Sequence, residues 1–194
     1  MKLIKFIFFC FYLTSIYSQP NVKNQLLIEN GFDDIQLDIH GFLYQVKGDA
    51  LVKRDLTGKE IYRYSNKLLG DIAQLDVSNP LRPLLFYKDQ GVIAVIDNTL
   101  SQQKQIISLN EIGLYQANSI ANSNFDNGIW LFDIDVNEIL KINSNAVVTY
   151  RSGNLSVILP DITSPVIALY EKNKLLYAVT NEEVIVLDQF GALL

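Results

Sequence analysis

Side chains suited to acid–base or metal chemistry are few in this chain, and their spacing matches no known catalytic motif. His40 is the only histidine and Cys10 the only cysteine. Nucleophilic catalysis needs a base that a further group orients, and the sequence names no such partner for His40. Because His40 directly precedes Gly41, we expect a surface or structural histidine in a turn. Zinc and iron sites need several His or Cys ligands, so no metal site is predicted.

One group of acids resembles the start of a calcium-binding loop, Asp133-Ile-Asp135-Val-Asn137. The sixth position holds Glu138 where glycine is needed, and the twelfth holds Ser144 where glutamate is needed. The alternation with Ile and Val instead predicts a strand that runs into a hairpin turn.

A second group of acids, Asp33, Asp34 and Asp38, raises the possibility of paired carboxylates for glycoside hydrolysis. Adjacent acids in a strand point to opposite faces, so they are poorly placed to flank one sugar. We expect a solvated turn here. The sequence therefore predicts no catalytic residue, no cofactor-binding residue and no metal ligand.

Charge argues against a nucleic-acid partner. The 194 residues carry 16 Lys and Arg against 21 Asp and Glu, which gives a net charge of −5. An acidic protein repels phosphate backbones unless a basic cluster overrides the repulsion. Lys53-Arg54 is the densest basic pair, and we expect it to lie on a solvated strand face.

Residues 1–18 are predicted to be a secretory signal peptide. Lys2 and Lys5 precede an apolar stretch at 6–16, and the small Ser18 comes before Gln19-Pro20. The stretch is too short to span a bilayer as a helix, although an uncleaved anchor or a hydrophobic first strand are alternatives. Cleavage would leave residues 19–194 without a cysteine or a transmembrane span. Export without disulfides favours a bacterial envelope protein that is periplasmic, on the cell surface or secreted.

The elements that must position these side chains follow a repeat. An aromatic residue stands eleven positions before an Asp or Asn in four pairs: Tyr44 with Asp55, Phe86 with Asp97, Phe132 with Asn143, and Tyr177 with Asp188. Successive pairs are 42, 46 and 45 residues apart. Self-similarity at this period predicts stacked supersecondary units, which we place near residues 31–66, 70–110, 116–151 and 165–194.

Each unit reads as four β-strands. Two apolar runs surround a short Gly, Asn or Asp turn, which predicts a β-hairpin, and a further strand precedes and follows it. Asp55 to Gly58 and Asp188 to Gly191 have the chemistry of a type I turn, so we interpret the recurring Asp or Asn as a turn residue. Four strands in this length are typical of a propeller blade. The fold prediction is all-β, a β-propeller-like array of about four four-stranded antiparallel blades.

The recurring aromatic residues, Tyr44, Phe86, Phe132 and Tyr177, occupy equivalent positions on the second strand of each unit. We therefore expect them to form the core between blades rather than a binding site. Trp130 lies two residues before Phe132 and has the same strand parity, so the same buried face is predicted for it.

The segment from Val52 through Asp55, Thr57-Gly58 and Tyr62 resembles the end of a blade in quinoprotein-type propellers. Blades of that family close with Asp, then Thr-Gly, then an aromatic residue for which Trp is favoured. The other three units lack Thr-Gly, so the resemblance supports a propeller but implies no quinone cofactor. With its Asn- and Ile-rich composition and a signal ending in Ser-Gln, the chain also resembles small exported propeller-like proteins of Bacteroidota-type bacteria, a group without an assigned activity.

Closure of the propeller is open at the level of sequence. The fourth unit ends where an outer strand would begin, and residues 25–30 resemble the outer-strand segment 104–110. Either this N-terminal segment completes the last blade and closes the ring, or the chain is an incomplete propeller from a longer protein.

The predicted function is an exported, non-catalytic binding or scaffold module of the bacterial cell envelope. The expected partner is another envelope protein or a glycan, contacted through loops at one end of the channel. One alternative is an envelope enzyme on the same fold, either glycan-active or quinoprotein-like. The other is the sensor portion of a longer protein.

Overall fold

A computed structural model of the protein describes residues 31–194, where the strands form four antiparallel sheets in chain order. The first two sheets contain β1 (Asp34–Leu37), β2 (Leu43–Lys47), β3 (Ala50–Arg54), β4 (Glu60–Ser65), β5 (Gln74–Asp76), β6 (Leu84–Tyr87), β7 (Val92–Ile96) and β8 (Gln102–Ser108). The last two contain β9 (Ala117–Ser123), β10 (Gly128–Asp133), β11 (Glu138–Ile142), β12 (Val148–Asn154), β13 (Ala168–Lys172), β14 (Leu175–Val179) and β15 (Val184–Asp188).

The sheets are arranged as the blades of a four-blade β-propeller, which confirms the all-β prediction. Blades 1 to 3 have four strands each, and blade 4 has three plus a bridge between Leu187 and Leu193. A single α-helical turn within the described residues, α1 (Leu155–Ile158), links blades 3 and 4 and was not predicted. Asn154 caps it by accepting a hydrogen bond from the Ser156 N–H. No helix within residues 31–194 is long and apolar enough to cross a membrane.

The innermost strands β1, β5, β9 and β13 follow one another around the propeller. Contacts join β1 to β5, β5 to β9 and β9 to β13. Within the described part of the chain, β13 and β1 make less contact with each other than the other consecutive pairs do. The junction between blades 4 and 1 is therefore not packed among these residues as the other three junctions are. The predicted signal peptide and the predicted closing segment at 25–30 both lie outside the described residues.

Three apolar clusters fill the three junctions between consecutive blades. Tyr44, Phe86 and Phe132 are each buried in one of them, as predicted, and Trp130 is buried in the same cluster as Phe132. The prediction for Tyr177 is wrong, because this side chain is only half-buried. Tyr177 lies on the face of its sheet that points away from blade 3, and no described blade packs on that face.

The recurring Asp or Asn is a turn residue in every blade, as predicted. Each side-chain oxygen accepts hydrogen bonds from the backbone N–H groups two and four residues ahead, as at Asp55, Asp97, Asn143 and Asp188. The residue three positions after it has a positive φ, and it is Gly58, Leu100, Ala146 or Gly191. The shared hydrogen-bond pattern explains why either Asp or Asn is found at this position, since both side chains supply an oxygen acceptor.

Candidate functional site: the central channel

The inner strands of all four blades line one cavity of about 630 Å³. Its walls include polar side chains from every blade, among them Asp34, Gln74, Asp76, Asn118, Tyr170 and Glu171. Propellers commonly place their contacts at such a channel, so these side chains define the candidate site. What each of them can do depends on the hydrogen bonds it already makes.

A first set of channel residues links the blades to one another. These residues stand opposite the recurring aromatic in the sheet register: Gln36 opposite Tyr44, Gln74 opposite Phe86, Ser119 opposite Phe132, and Tyr170 opposite Tyr177. We call Gln36, Gln74, Ser119 and Tyr170 the link residues. Inner strands have a free edge toward the channel, and its backbone groups need partners.

The first three link residues supply those partners on the next blade. The Gln36 side chain donates to the Leu75 carbonyl at 2.6 Å, and that of Gln74 donates to the Ile120 carbonyl at 2.8 Å. The Ile120 N–H donates back to Gln74 Oε1 at 2.9 Å. Ser119 Oγ accepts from the Leu169 N–H at 3.0 Å. The link residues thus join consecutive inner strands in series.

Two channel carboxylates are also committed to structure. Asp76 accepts from the Ser78 N–H and from the Asn122 N–H, both at 2.7 Å. Glu171 accepts from the Asn124 N–H and from the Trp130 indole N–H, both at 2.8 Å. The Asn122 donor to Asp76 belongs to the next blade, and both donors to Glu171 belong to the preceding blade. Each acid thus accepts one hydrogen bond on each of its two carboxylate oxygens. These acids hold blades together and are poorly placed to exchange protons with a substrate.

Arg82 lies beside this network and balances part of its charge. Its guanidinium donates to Asn122 Oδ1 at 2.9 Å and to the Gly128 carbonyl at 3.3 Å. Burial lowers the pKa of Arg82, while the nearby charges of Asp76 and Asp126 act in the opposite direction. The guanidinium thus adds two hydrogen bonds that join blade 2 to blade 3.

Asp34 and Tyr170 are channel groups that keep hydrogen-bonding capacity for a ligand. Asp34 is half-buried and accepts a hydrogen bond from Gln36 at 2.9 Å, which leaves acceptor capacity on its carboxylate. Tyr170 is 60 % exposed. The preceding Asp33 accepts from the Gly48 N–H at 2.7 Å, so the two adjacent acids have different surroundings.

The turn predicted around Asp38 and His40 is present, but the prediction that Asp38 is solvated is wrong. Asp38 is buried and accepts from the His40 and Phe42 N–H groups and from the Tyr44 hydroxyl. Burial raises the pKa of Tyr44, and the charge and hydrogen bond of Asp38 raise it further. His40 is exposed, as expected of a surface histidine.

The calcium-like segment is a strand and a hairpin turn, as predicted. Strand β10 ends at Asp133, whose carboxylate accepts from the Asp135 N–H at 2.9 Å and begins the turn. Among residues 31–194, no three His, Cys, Asp or Glu side chains converge to hold a metal ion.

Lysine burial is a feature that the sequence reasoning missed. Lys53 was predicted on a solvated face, which is wrong, because it is buried 4.6 Å from the Phe42 ring centroid and donates to the Asn98 carbonyl at 2.9 Å. Burial lowers the pKa of Lys53, although Asp38 and Asp97 favour its charge.

Lys141 repeats this arrangement in blade 3. It is buried 4.6 Å from the Trp130 ring, donates to the Gln189 carbonyl at 3.3 Å and pairs with Asp126 at 2.8 Å. Both lysines stand two residues before the turn Asp or Asn, and both clamp the corresponding turn of the next blade. The apolar stem packs on aromatic rings while the amine finds a carbonyl, so the role is structural.

A second cavity of about 370 Å³ lies between the β6–β7 turn and the segment that leads to blade 3. Lys88, Asn110 and Tyr115 line it, and Tyr115 is 77 % exposed. Lys88 donates to Asn118 Oδ1 at 2.6 Å, which fixes one wall of the cavity.

Solved structures with the same architecture are β-propellers of various kinds. Streptogramin B lyase superposes with a TM-score of 0.62 and 14% identity, over 88% of this chain and 56% of that chain. The Pan2 WD40 domain of Neurospora crassa superposes with a TM-score of 0.57 and 13% identity, over 83% of this chain and 48% of that chain. BBS1N, in complex with ARL6DN, superposes with a TM-score of 0.58 and 11% identity, over 82% of this chain and 51% of that chain. The chain thus spans about half the length of these neighbours, and the likeness shows the propeller fold alone.

No family model matches the chain, and no curated protein sequence matches it.

Proposed function

We propose that the chain is a non-catalytic binding or scaffold module of the bacterial cell envelope that contacts its partner at the mouth of the central channel. The partner class is another envelope protein or a glycan. Export is part of the proposal and is supported by the signal-like pattern of residues 1–18. The contact surface is supported by the cavity that all four inner strands share.

The state of the channel acids carries the non-catalytic part of the proposal. Asp76 and Glu171 use both carboxylate oxygens as acceptors for N–H groups that join blades. Glycoside hydrolysis needs one carboxylic acid that gives up a proton and a second carboxylate poised across the sugar. Carboxylates whose oxygens already accept the N–H groups that hold the blades are poorly placed for that chemistry. Asp34, by contrast, keeps acceptor capacity that can orient a ligand.

Propeller neighbours with unrelated roles are consistent with a binding role. One is a streptogramin B lyase and another, BBS1N, was solved in complex with ARL6DN. Because the same fold carries both kinds of role, the assignment depends on the site rather than on the fold.

Calorimetric titration with defined envelope oligosaccharides and with separated envelope protein fractions tests binding at the channel. We expect saturable binding that Asp34→Asn weakens at least about tenfold, which corresponds to about 1.4 kcal/mol. Asp161→Asn is the matched control. Asp161 is exposed and lies outside the channel lining, so its substitution removes the same charge at a distant place. Turnover of a bound glycan that Asp76→Asn or Glu171→Gln abolishes, in a protein that remains folded, would overturn the proposal.

Export has its own test. Mass spectrometry of the protein recovered from the envelope of expressing cells should find an N-terminus at Gln19. Replacement of Ser18 by Trp should leave the precursor uncleaved, because the peptidase site needs a small residue. Recovery of the full-length chain from the cytosol would refute the export part alone.

A further inference from the structure

The three junctions between consecutive blades use the same pair of sheet faces. We call the face with the recurring aromatic and the link residue the forward face, as at Tyr44 and Gln36 in blade 1. We call the opposite face the rear face, and it carries Leu75 in blade 2 and Ile120 in blade 3, each directly after the link residue. In every junction the forward face of one blade packs on the rear face of the next.

The forward face of blade 4 is uncovered within the described residues. Tyr170, its link residue, is 60 % exposed, and Val184 is 54 % exposed. Tyr177 is half-buried, although Tyr44 and Phe86 at the same position are no more than 1% exposed. An apolar face of this kind on a terminal repeat needs a partner or a polar cap.

The rear face of blade 1 is uncovered as well. Leu37 follows the link residue Gln36 and is 66 % exposed, whereas Leu75 and Ile120 at the equivalent position are 1% and 0% exposed. Ile35, on the same face, is 43 % exposed. Residues 31–194 therefore present both halves of the face pair that the three internal junctions use.

We propose that a second copy of this chain covers both faces, with blade 4 of each copy packed on blade 1 of the other. A twofold axis along the channel forms the two junctions together and closes a ring of eight blades without a free face. In this ring Tyr170 takes the place of Gln36 and Gln74 and meets Leu37 of the other copy. Each copy supplies one forward face and one rear face, so the contact is self-complementary.

The size of a solved propeller is compatible with this arrangement. The match covers 56% of the streptogramin B lyase chain, so two copies correspond to slightly more than one such propeller chain. A closed ring of four would have to pack β13 against β1 as the other inner strands are packed, and these two strands make less contact than any other consecutive pair.

Charge also favours this pairing over one between two copies of blade 4. The turns between the second and third strands of consecutive blades lie at the same end of a propeller, because blades with the same strand order repeat one plan around the channel. In the ring, exposed Glu182 and Glu183 in the β14–β15 turn of one copy lie next to exposed Lys47 at the end of β2 of the other. Opposite charges at the rim favour this pairing over blade 4 with blade 4.

Sedimentation velocity and light scattering on the purified chain test the proposal. We expect twice the mass of one chain over a wide range of concentration. Tyr170→Asp and Leu37→Asp should each dissociate the dimer, because each places a charge in both junctions. Tyr115→Asp is the control, since it changes an exposed aromatic residue away from both faces. Thermal unfolding shows whether each variant is folded. Val184→Asp replaces Tyr170→Asp, and Ile35→Asp replaces Leu37→Asp, if the first variant does not fold.

A mixture of the two monomeric variants gives the decisive result. The Tyr170→Asp chain keeps its rear face and the Leu37→Asp chain keeps its forward face, so one intact junction should restore a weaker heterodimer. A chain that is monomeric throughout overturns the proposal. A dimer that is dissociated by only one of the two substitutions, Tyr170→Asp or Leu37→Asp, also overturns it. That result would mean that two like faces pair with each other. Failure of the mixture to associate overturns it as well.

Discussion

The side-chain amide of Gln74 pairs with the main chain of Ile120 as the peptide group of a neighbouring strand would. Gln74 Nε2 donates to the Ile120 carbonyl at 2.8 Å, and the Ile120 N–H donates to Gln74 Oε1 at 2.9 Å. The two residues belong to the inner strands of blades 2 and 3. Blades that share no β-ladder are thereby tied through their channel edges.

Removal of this pair should weaken the junction between blades 2 and 3. Gln74→Leu keeps the approximate volume of the side chain but leaves the Ile120 N–H and carbonyl without their partner. We expect the free energy of unfolding, from urea titration, to fall by about 1–3 kcal/mol. Gln103→Leu is the control, because Gln103 is exposed on an outer strand. Equal effects of the two substitutions would mean that the pair contributes nothing specific.

Gly191 should tolerate alanine less well than other glycines with a positive φ. Gly191 has φ +91°, and an added Cβ would overlap the ring of Tyr150, whose hydroxyl donates to the Gly191 carbonyl at 2.7 Å. Gly113 has φ +77° with nothing within 4 Å of such a Cβ. Gly113→Ala should cost about 1 kcal/mol from the backbone alone.

We expect Gly191→Ala to lower the melting temperature clearly more than Gly113→Ala does. The added loss should shrink in a Tyr150→Leu background, where the overlapping ring is absent, and a double-mutant cycle measures that difference. Equal losses in both backgrounds would argue against the contact between Tyr150 and the last turn.

Glu171 should be replaceable by glutamine only at a cost. Both of its oxygens accept N–H groups, and the amide group of glutamine would face one of those donors with a donor of its own. We expect Glu171→Gln to destabilise the protein by about 1–3 kcal/mol. Emission from Trp130, the only tryptophan, reports the unfolding. Glu182→Gln changes an exposed acid in the same blade, and an equal effect there would contradict the prediction.

Asp97 should make a pH-dependent contribution to stability. The Thr99 hydroxyl and then the Ser101 and Thr99 N–H groups hold the pKa of Asp97 below its usual 3.8, with Lys53 adding a favourable charge. A pKa that is lower in the folded than in the unfolded state stabilises the fold above the unfolded pKa. That stabilisation is lost as the pH falls through the folded pKa.

We therefore expect the wild type to exceed Asp97→Asn in stability at neutral pH, with the difference closing toward acid. The substitution keeps a turn acceptor, as Asn143 does in blade 3. Urea titrations from neutral pH to the most acidic condition at which the protein folds measure the difference. Asp161→Asn is the control, and a difference for Asp97→Asn that stays constant with pH would refute the assignment.

Local chemistry made much of this fold predictable. The spacing of Asp55, Asp97, Asn143 and Asp188 identifies the turns because an Asx side chain bonds N–H groups within four residues of itself. The hairpins before these turns are equally local, so period and sheet type followed from the sequence.

The channel was not predictable in the same way. Gln36, Gln74, Ser119 and Tyr170 precede their paired aromatic by 8, 12, 13 and 7 positions, because the loops between the first two strands differ in length. No constant spacing marks them in the sequence. The burial of Lys53 was missed for a related reason, since its carbonyl partner lies in the next blade, 45 residues away.

Hydrogen exchange of the Ile120 and Leu169 amides tests most directly whether the inner strands are tied in series around one channel. Both N–H groups lie on strand edges that face the channel, and each donates to a side chain of the preceding blade, Gln74 or Ser119. NMR should find both amides protected in the wild type, and Gln74→Leu should release Ile120 while Leu169 stays protected. Exchange of both amides at the rate of a free strand edge in the wild type would contradict the arrangement of the blades described above.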